Sequence, residues 1–202
     1  MARARTGSAP SVRTSTPDKR DAILEAALEL FVERGFHGTA VPTVAERAHV
    51  GAGTIYRYFD SKEALVNELY REWKQKLATH LLADFVPSGS ARDQFGRLWR
   101  RMADFVQRHP TAYLFIELHH HASYLDAQSM AIEEQLFGLA LGFIRGMQDR
   151  GEFRKMPPPV LWSLVEGAFI GLVRSSKEGR LSLGPAEIEV AEAAVWEMIR
   201  AE

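Results

Sequence analysis

The residues best suited to chemistry lie in one short segment in the first third of the chain. Here Ala52, Thr54 and Arg57 stand near the start or outer face of a short predicted helix. Arginine can form two hydrogen bonds with a guanine edge, and alanine or the threonine methyl group fits beside a thymine methyl. The hydroxyl groups of Tyr56 and Tyr58 can donate to a phosphate or a base. These residue types suit a DNA major groove, although tyrosine on a short helix is also common in protein cores.

A second candidate is the run His119-His120-His121, which follows Glu117. Successive residues of an α-helix point about 100° apart, so three adjacent histidines cannot converge on one metal ion. Glu117 with His120 or His121 has the i, i+3 or i, i+4 spacing that can share a metal. Polar lining of a ligand site and plain packing are the alternatives, and we predict no resident metal or cofactor.

Composition limits the classes of protein that remain. The 202 residues include no cysteine, which excludes a disulfide, an iron–sulfur cluster, a thiolate zinc site and a cysteine nucleophile. No glycine-rich phosphate loop occurs, and no paired acid with a nucleophile appears at helical spacing. We therefore expect no enzyme. A helical hydrolase that uses Glu117 with the histidine run, and a helical adaptor that binds protein, are the competing interpretations.

Charge is nearly balanced, with 25 basic and 26 acidic residues and a formal net charge of -1. The first twenty residues are an exception, because they hold five basic residues and one acidic residue. Residues 1–17 show no periodicity, so we expect a disordered basic arm. The apolar runs are far shorter than the ~20 residues of a membrane span. We expect a cytoplasmic, nucleoid-associated protein with no membrane partner.

The elements that must position these residues are predicted to be helices throughout. Apolar residues recur at helical spacing from Ile23 to Phe31, and Gly35 ends that helix. Two short helices at 42–48 and 52–59, joined by a tight turn at 49–51, match a helix-turn-helix. The other predicted helices span 61–82, 91–108, 111–122, 126–150, 157–177 and 185–201. The fold class is therefore all-α, with about nine helices.

Residues 20–70 resemble the TetR (tetracycline-repressor-like) family of bacterial transcriptional regulators. The ordered string Gly-Thr-Ile-Tyr-x-Tyr-Phe-x-Ser-Lys-Glu over 53–63 carries the resemblance most specifically. It implies an N-terminal three-helix DNA-binding domain at 18–65, with helix four running on to about 82 as a connection. It also implies a ligand-binding and dimerisation domain at 66–202, formed by a helical bundle.

The resemblance assigns roles to individual residues. Arg57 is expected to read a base, whereas Lys62 matches a phosphate contact. Pro42 replaces a base-reading arginine of some members, and His49 replaces the usual turn glycine, where a left-handed conformation is expected. Val41 lies where a capping serine or threonine is frequent. The residues predicted to contact DNA are Thr39, Thr43, Ala52, Gly53, Thr54, Tyr56, Arg57, Tyr58 and Lys62.

The second domain is expected to hold an effector and to form the homodimer. An aromatic, methionine-containing interior suits an apolar or aromatic ligand. The predicted ligand-binding residues are Trp99, Met102, Phe105, Tyr113, Ile116, His120, Leu136, Phe137, Trp162 and Phe169. The predicted dimer interface, which could instead be plain core, comprises Leu161, Val165, Phe169, Leu172, Ile188, Val195, Met198 and Ile199.

Together these features predict a dimeric repressor that binds a palindromic operator in double-stranded DNA and is released by a small-molecule effector. A metal-responsive repressor that uses Glu117 with His119–His121 is one alternative. A transcriptional activator is the other, because the sign of regulation depends on where the operator lies.

Overall fold

A computed structural model describes residues 18–83, 88–118 and 123–202, and these ranges contain helices and no β-strand. The predicted arm at 1–17 lies outside them. None of the described helices is long and apolar enough to cross a membrane. The all-α prediction is confirmed. The helices are α1 (Lys19–Gly38), α2 (Val41–Arg47), α3 (Ala52–Ile55), α4 (Lys62–Leu82), α5 (Ala91–Arg108), α6 (Pro110–Leu118), α7 (Ala127–Asp149), α8 (Pro158–Lys177) and α9 (Pro185–Ile199).

Helices α1 to α3 enclose a small apolar core that also includes the start of α4. Ile23, Ala27 and Leu30 on one face of α1 are fully buried against it. The helix is interrupted at Gly35, whose φ of 70° lies in the left-handed region that glycine adopts without strain. The predicted end of the first helix at Gly35 is therefore a break, and one further turn continues to Gly38.

The turn between α2 and α3 has the conformation expected from the sequence. His49 has a φ of 54°, so a residue other than glycine adopts the left-handed backbone conformation there. The Val50 N–H donates to the Ala45 carbonyl at 3.0 Å, which closes the end of α2. This hydrogen bond fixes the direction in which the chain enters α3.

The predicted helix at 52–59 is wrong at its C-terminal end. Helix α3 ends at Ile55, and the chain continues through tighter turns in which the N–H groups of Tyr58 and Phe59 both donate to the Ile55 carbonyl at 2.9 Å. The short element brings Ile55 and Phe59 into the core. Packing of these two side chains, rather than helix length, determines where the segment stops.

Helices α5 and α9 meet at a point where one of them lacks a side chain. Glu192 of α9 is 3% exposed, and its carboxylate accepts from Arg92 and from Arg100, the latter at 3.2 Å. The carboxylate lies directly over Gly96, where an added Cβ would be only 2.7 Å from Oε1. Glycine at this position therefore lets a buried charge keep both of its arginine partners.

We predict that Gly96→Ala destabilises the protein by about 1–3 kcal/mol, because the new methyl group displaces Glu192 from its arginines. Thermal or urea unfolding of the variant measures the change. Gly142→Ala on α7 is the matched control, since a Cβ there meets nothing within 4 Å. It should be neutral or stabilising by up to about 1 kcal/mol. Equal stability of the two variants would contradict the assignment.

Candidate functional site

The segment that follows the turn presents three neighbouring polar side chains to solvent. Tyr56 is 54% exposed and Tyr58 is 43% exposed, while Arg57 between them is also exposed. In the part of the chain that the structure describes, no carboxylate forms an ion pair with Arg57. On the opposite side, Ile55 and Phe59 are buried. The segment is thus anchored by its apolar residues and offers a guanidinium and two phenols to a partner.

The small residues at the start of α3 leave the approach to this surface open. Ala52 and Gly53 are exposed, and Cβ space at Gly53 is empty to 4 Å. Thr54 and Thr43 are half-buried. Ala40 occupies the N-cap position of α2, and no side chain hydrogen-bonds to the start of this helix. Helix α2 therefore begins without a serine or threonine cap.

Thr39 does not belong to the surface. It is 1% exposed, and its hydroxyl donates to the carbonyls of Leu30 at 3.0 Å and Gly35 at 2.8 Å. These contacts hold the threonine side chain inward, against the C-terminal part of α1. Its predicted DNA contact is therefore wrong.

Lys62 makes its contacts within the chain. Its Nζ donates to the carbonyls of Phe36 at 2.8 Å and Thr39 at 3.1 Å, and it lies 4.1 Å above the Phe36 ring. These contacts join the start of α4 to the end of α1. A phosphate contact by Lys62 stays a prediction. A phosphate would have to share the Lys62 ammonium with the carbonyls of Phe36 and Thr39.

A cavity of about 400 Å³ lies in the second part of the chain, among helices α4 to α9. Its wall is formed mainly by leucine, phenylalanine and tryptophan side chains. At its edge, Leu82, Phe137 and Leu139 are exposed, so the cavity is reached from outside between α4 and α7. The predicted ligand-binding residues that line it are Trp99, Met102, Tyr113, Leu136, Phe137, Trp162 and Phe169.

Two predicted ligand residues that the structure describes are not part of this wall. Phe105 is buried against Trp73 and His80, on the side of α5 that faces α4. Ile116 is buried in the core on α6. Apolar residues line both faces of these helices, and spacing alone does not tell which face meets the cavity. His120 and its neighbours in the run 119–121 lie outside the described residues.

One end of the cavity is polar, and four helices contribute to it. Lys74 of α4 is 6% exposed, and its ammonium lies 2.9 Å from a carboxylate oxygen of Glu117 and 3.0 Å from one of Glu133. The Tyr70 hydroxyl also donates to Glu133, at 2.7 Å. Glu166 of α8 completes the group on the cavity wall.

Burial and mutual repulsion set the protonation of these groups. Burial raises the pKa of Glu117, and Lys74 offsets this only in part. Burial and the neighbouring Glu117 carboxylate raise the pKa of Glu166. Burial alone would lower the pKa of Lys74, but the surrounding acidic groups raise it, so the ammonium stays charged. Glu117 is thus paired with Lys74, and no group of three or more candidate ligands in the described ranges could hold a metal.

Sequence reasoning missed Lys74, Glu133 and Glu166. A signal was present for two of them, because Lys74 stands between Tyr70 and Leu77 on the inward face of α4, and Glu166 interrupts an apolar stretch of α8. Charged residues at inward helical positions rarely stay unpaired. Which of them meet could not be read from spacing, because they come from different helices.

Comparison with known proteins adds an independent observation. The family profile described as "Bacterial regulatory proteins, tetR family" matches residues 23–69. The profile described as "Tetracyclin repressor-like, C-terminal domain" matches residues 70–201, which is more than half of the chain. The chain belongs to the TetR family.

Individual relatives support this assignment over short stretches of the chain. An uncharacterized HTH-type transcriptional regulator of Bacillus subtilis, YhgD, is 43% identical over 63 residues, which is 29% of this chain and 33% of that protein. The HTH-type transcriptional repressor KstR2 of Rhodococcus jostii is 42% identical over 53 residues, 26% of each chain. The chain thus aligns with about a third or less of these TetR-type relatives.

A solved structure matches the fold over nearly the whole length. A TetR family transcription regulator from Marinobacter aquaeolei has a TM-score of 0.80 and 22% sequence identity, and the match covers 91% of this chain and 96% of that one. At this identity the likeness establishes the fold alone. The resemblance drawn from the string at 53–63 is confirmed.

The predicted TetR-type dimer residues fall mostly inside the single chain. Leu161, Phe169, Ile188, Val195 and Ile199 are buried there, whereas Val165, Leu172 and Met198 are half-buried. The prediction chose the apolar face of each helix, and that face covers the chain's own core. The apolar residues of α8 and α9 that remain exposed include Val160, Leu164, Ala186, Val190, Ala193 and Ala194, and Gly167 and Gly171 are exposed as well. Polar residues such as Ser163, Arg174 and Glu189 are exposed on the same helices.

Helix α4 connects the two parts of this TetR-family chain through polar contacts. Asn67 donates to the Tyr124 carbonyl and accepts from the Asp126 N–H, both at 2.8 Å. The Tyr124 ring stacks on Phe36 of α1, with centroids 4.2 Å apart. A shift of the segment before α7 therefore reaches both α4 and the end of α1.

We predict that Lys62→Ala lowers the free energy of unfolding by about 1–3 kcal/mol, because two carbonyls lose a charged donor. Thermal unfolding, followed by circular dichroism, measures the loss. Lys76→Ala is the control, since the exposed Lys76 lies 3.8 Å from Glu72 and is expected to contribute about 0.5 kcal/mol or less. If the two variants unfold alike, Lys62 does not hold α1 to α4.

Proposed function

We propose that this chain is a dimeric, ligand-responsive transcriptional regulator: a repressor that binds a palindromic operator and is released by a small apolar effector. The observation that carries the proposal is the exposed trio Tyr56, Arg57 and Tyr58 on a segment anchored by Ile55 and Phe59. Such a rigid, outward-facing element is what major-groove reading requires. The repressor KstR2 of Rhodococcus jostii, which is 42% identical to this chain over 53 residues, supports the repressor assignment.

Within this proposal Arg57 reads sequence and its neighbours position the domain. A guanidinium without an ion-pair partner in the described ranges is available to a guanine edge, because it need not leave a carboxylate first. Tyr56 and Tyr58 have free phenol ends at the same surface, and Thr43, Ala52, Gly53 and Thr54 line its edge. Contacts of this second kind fix register and orientation rather than sequence.

The dimer is proposed to form through the outer faces of α8 and α9. Leu164 is 42% exposed and Val190 is 71% exposed, and Gly167 and Gly171 leave Cβ space empty to 4 Å. Small and apolar residues together permit two helices to approach closely. One recognition segment reads only a few base pairs, so two copies spaced about 34 Å apart are needed for a specific operator.

Release by an effector follows from the connection through α4. The cavity end at Lys74 and the DNA-binding domain at Lys62 lie on the same helix. A ligand that binds better when the recognition segments are wrongly spaced shifts the population toward that geometry and lowers operator affinity. The metal-responsive alternative depends on His119–His121, outside the described residues, and no observation favours an activator.

We predict that Arg57→Ala relaxes specificity at one base pair of each half-site, with a loss of about 1–3 kcal/mol there. An operator selected from a random-sequence duplex pool, and its single-base variants, are titrated by fluorescence anisotropy. The exposed Arg145→Ala on α7 is the matched control and should change nothing. Equal weakening on every sequence would make Arg57 a phosphate contact instead.

We predict that Leu164→Glu converts the protein to a monomer at micromolar concentration, because two carboxylates would meet across the symmetric interface. Sedimentation velocity measures the change. Met130→Glu serves as the control, since Met130 is 50% exposed near the start of α7 and does not belong to the proposed interface. A variant that stays dimeric places the interface elsewhere, and wild-type monomers would remove the dimer from the proposal.

A further inference from the structure

We propose that the cavity binds an apolar molecule that carries one cationic group, and that Glu166, Glu117 and the Tyr113 hydroxyl receive this group. As an assignment of the effector class, it rests on the regulator function proposed above. The cavity itself and its polar end are independent of that function, so the two can fail separately.

The first support is the charge balance of the polar end. Lys74 lies within 3.0 Å of Glu117 and Glu133 and is shared by these two carboxylates. Glu166 lies on the same wall, and no residue of the described ranges forms an ion pair with it. A half-buried carboxylate without a counter-ion is stabilised when a positive charge from outside the chain is placed beside it.

The second support is a buried hydroxyl without a hydrogen-bond partner among the described residues. Tyr113 is 2% exposed and lines the cavity, yet its hydroxyl makes no hydrogen bond with any residue of the described ranges. In those ranges no fully enclosed side-chain oxygen or nitrogen lacks a partner, so the Tyr113 oxygen borders open space. Burial raises the pKa of the Tyr113 hydroxyl, and the nearby Glu117 and Glu166 carboxylates raise it further. A hydroxyl near two carboxylates can accept a hydrogen bond from an ammonium.

The third support is the shape of the remaining wall. Trp99, Trp162 and Phe169 enclose the middle of the cavity, and Leu82, Phe137 and Leu139 stand at its exposed edge. Aromatic faces attract cations as well as apolar groups. An apolar chain or ring extending from the polar end toward this edge would stay in contact with apolar side chains along its length.

The same geometry opposes an anionic ligand. A carboxylate at this end would have to take Lys74 from Glu117 or Glu133 and would leave a second buried negative charge unpaired. A neutral alcohol avoids the repulsion but does not neutralise the site. The expected order of affinity is therefore amine first, alcohol second and carboxylate last.

The test uses three probes that share a ten-carbon chain: n-decylammonium, n-decanol and decanoate. Isothermal titration calorimetry of the full chain, below the concentration at which the probes aggregate, gives the three affinities. We expect decylammonium to bind at least about tenfold more tightly than decanoate. Comparable or tighter binding of decanoate, or no binding of any probe, overturns the proposal.

Two variants locate the effect at the named residues. Glu166→Gln keeps the size of the side chain and should weaken decylammonium about three- to tenfold while leaving decanol unchanged. Tyr113→Phe should weaken both the amine and the alcohol about two- to tenfold, because each loses one hydrogen bond. Glu134→Gln, exposed on α7, is the matched control. A wild-type affinity for decylammonium in Glu166→Gln, with folding verified by its thermal transition, overturns the assignment.

Operator binding separates this inference from the function on which it rests. If decylammonium binds but no duplex is preferred over random DNA, the cationic-ligand site stands and the regulator function fails. If an operator is bound and the amine preference is absent, the regulator stands and the ligand class is wrong. If decylammonium binds and also releases the operator, both are supported.

Discussion

The structure depends most on one buried charge, the ammonium of Lys74. It ties α4 to α6 and α7 through Glu117 and Glu133, and the loss of both partners would leave the ammonium uncompensated in an apolar interior. Few other contacts of this chain have so large a penalty for partial breakage. The relative position of three helices is therefore discrete rather than continuously adjustable, and this same point is an end of the cavity.

Helix α4 links the contacts of Lys74 to distant parts of the chain. The helix carries Lys74 near its middle, Asn67 beside the segment before α7, and Lys62 at its first residue. Lys62 in turn holds the carbonyls at the end of α1. Helix α4 thus connects the cavity with the N-terminal part of the chain, which carries the exposed segment at 56–58. The polar contacts of Lys74, Asn67 and Lys62 hold this helix in place along its length.

The exposed segment at 56–58 depends on very little secondary structure. Helix α3 has four residues, far too few to be stable as an isolated helix. It packs on α2, and Ile55 and Phe59 are buried in the core, so the core supplies the rigidity that hydrogen bonding within the helix cannot. Tyr56, Arg57 and Tyr58 are exposed and do not belong to the core, so they are available for contacts outside the chain.

The sequence by itself determined the helical class, most helix bounds and the family, because apolar spacing, proline, glycine and the string at 53–63 are local signals. It also determined the left-handed turn at His49 and the outward placement of Arg57. Tertiary structure decided the rest. The Thr39 hydroxyl lies inward, where it donates to the carbonyls of Leu30 and Gly35. Phe105 lies on the face of α5 away from the cavity, and the apolar faces of α8 and α9 are buried in the core of the same chain. Tertiary structure also decided that Glu117, Glu133, Glu166 and Lys74 lie together. These residues come from four different helices, so the spacing within any one helix does not predict that they meet.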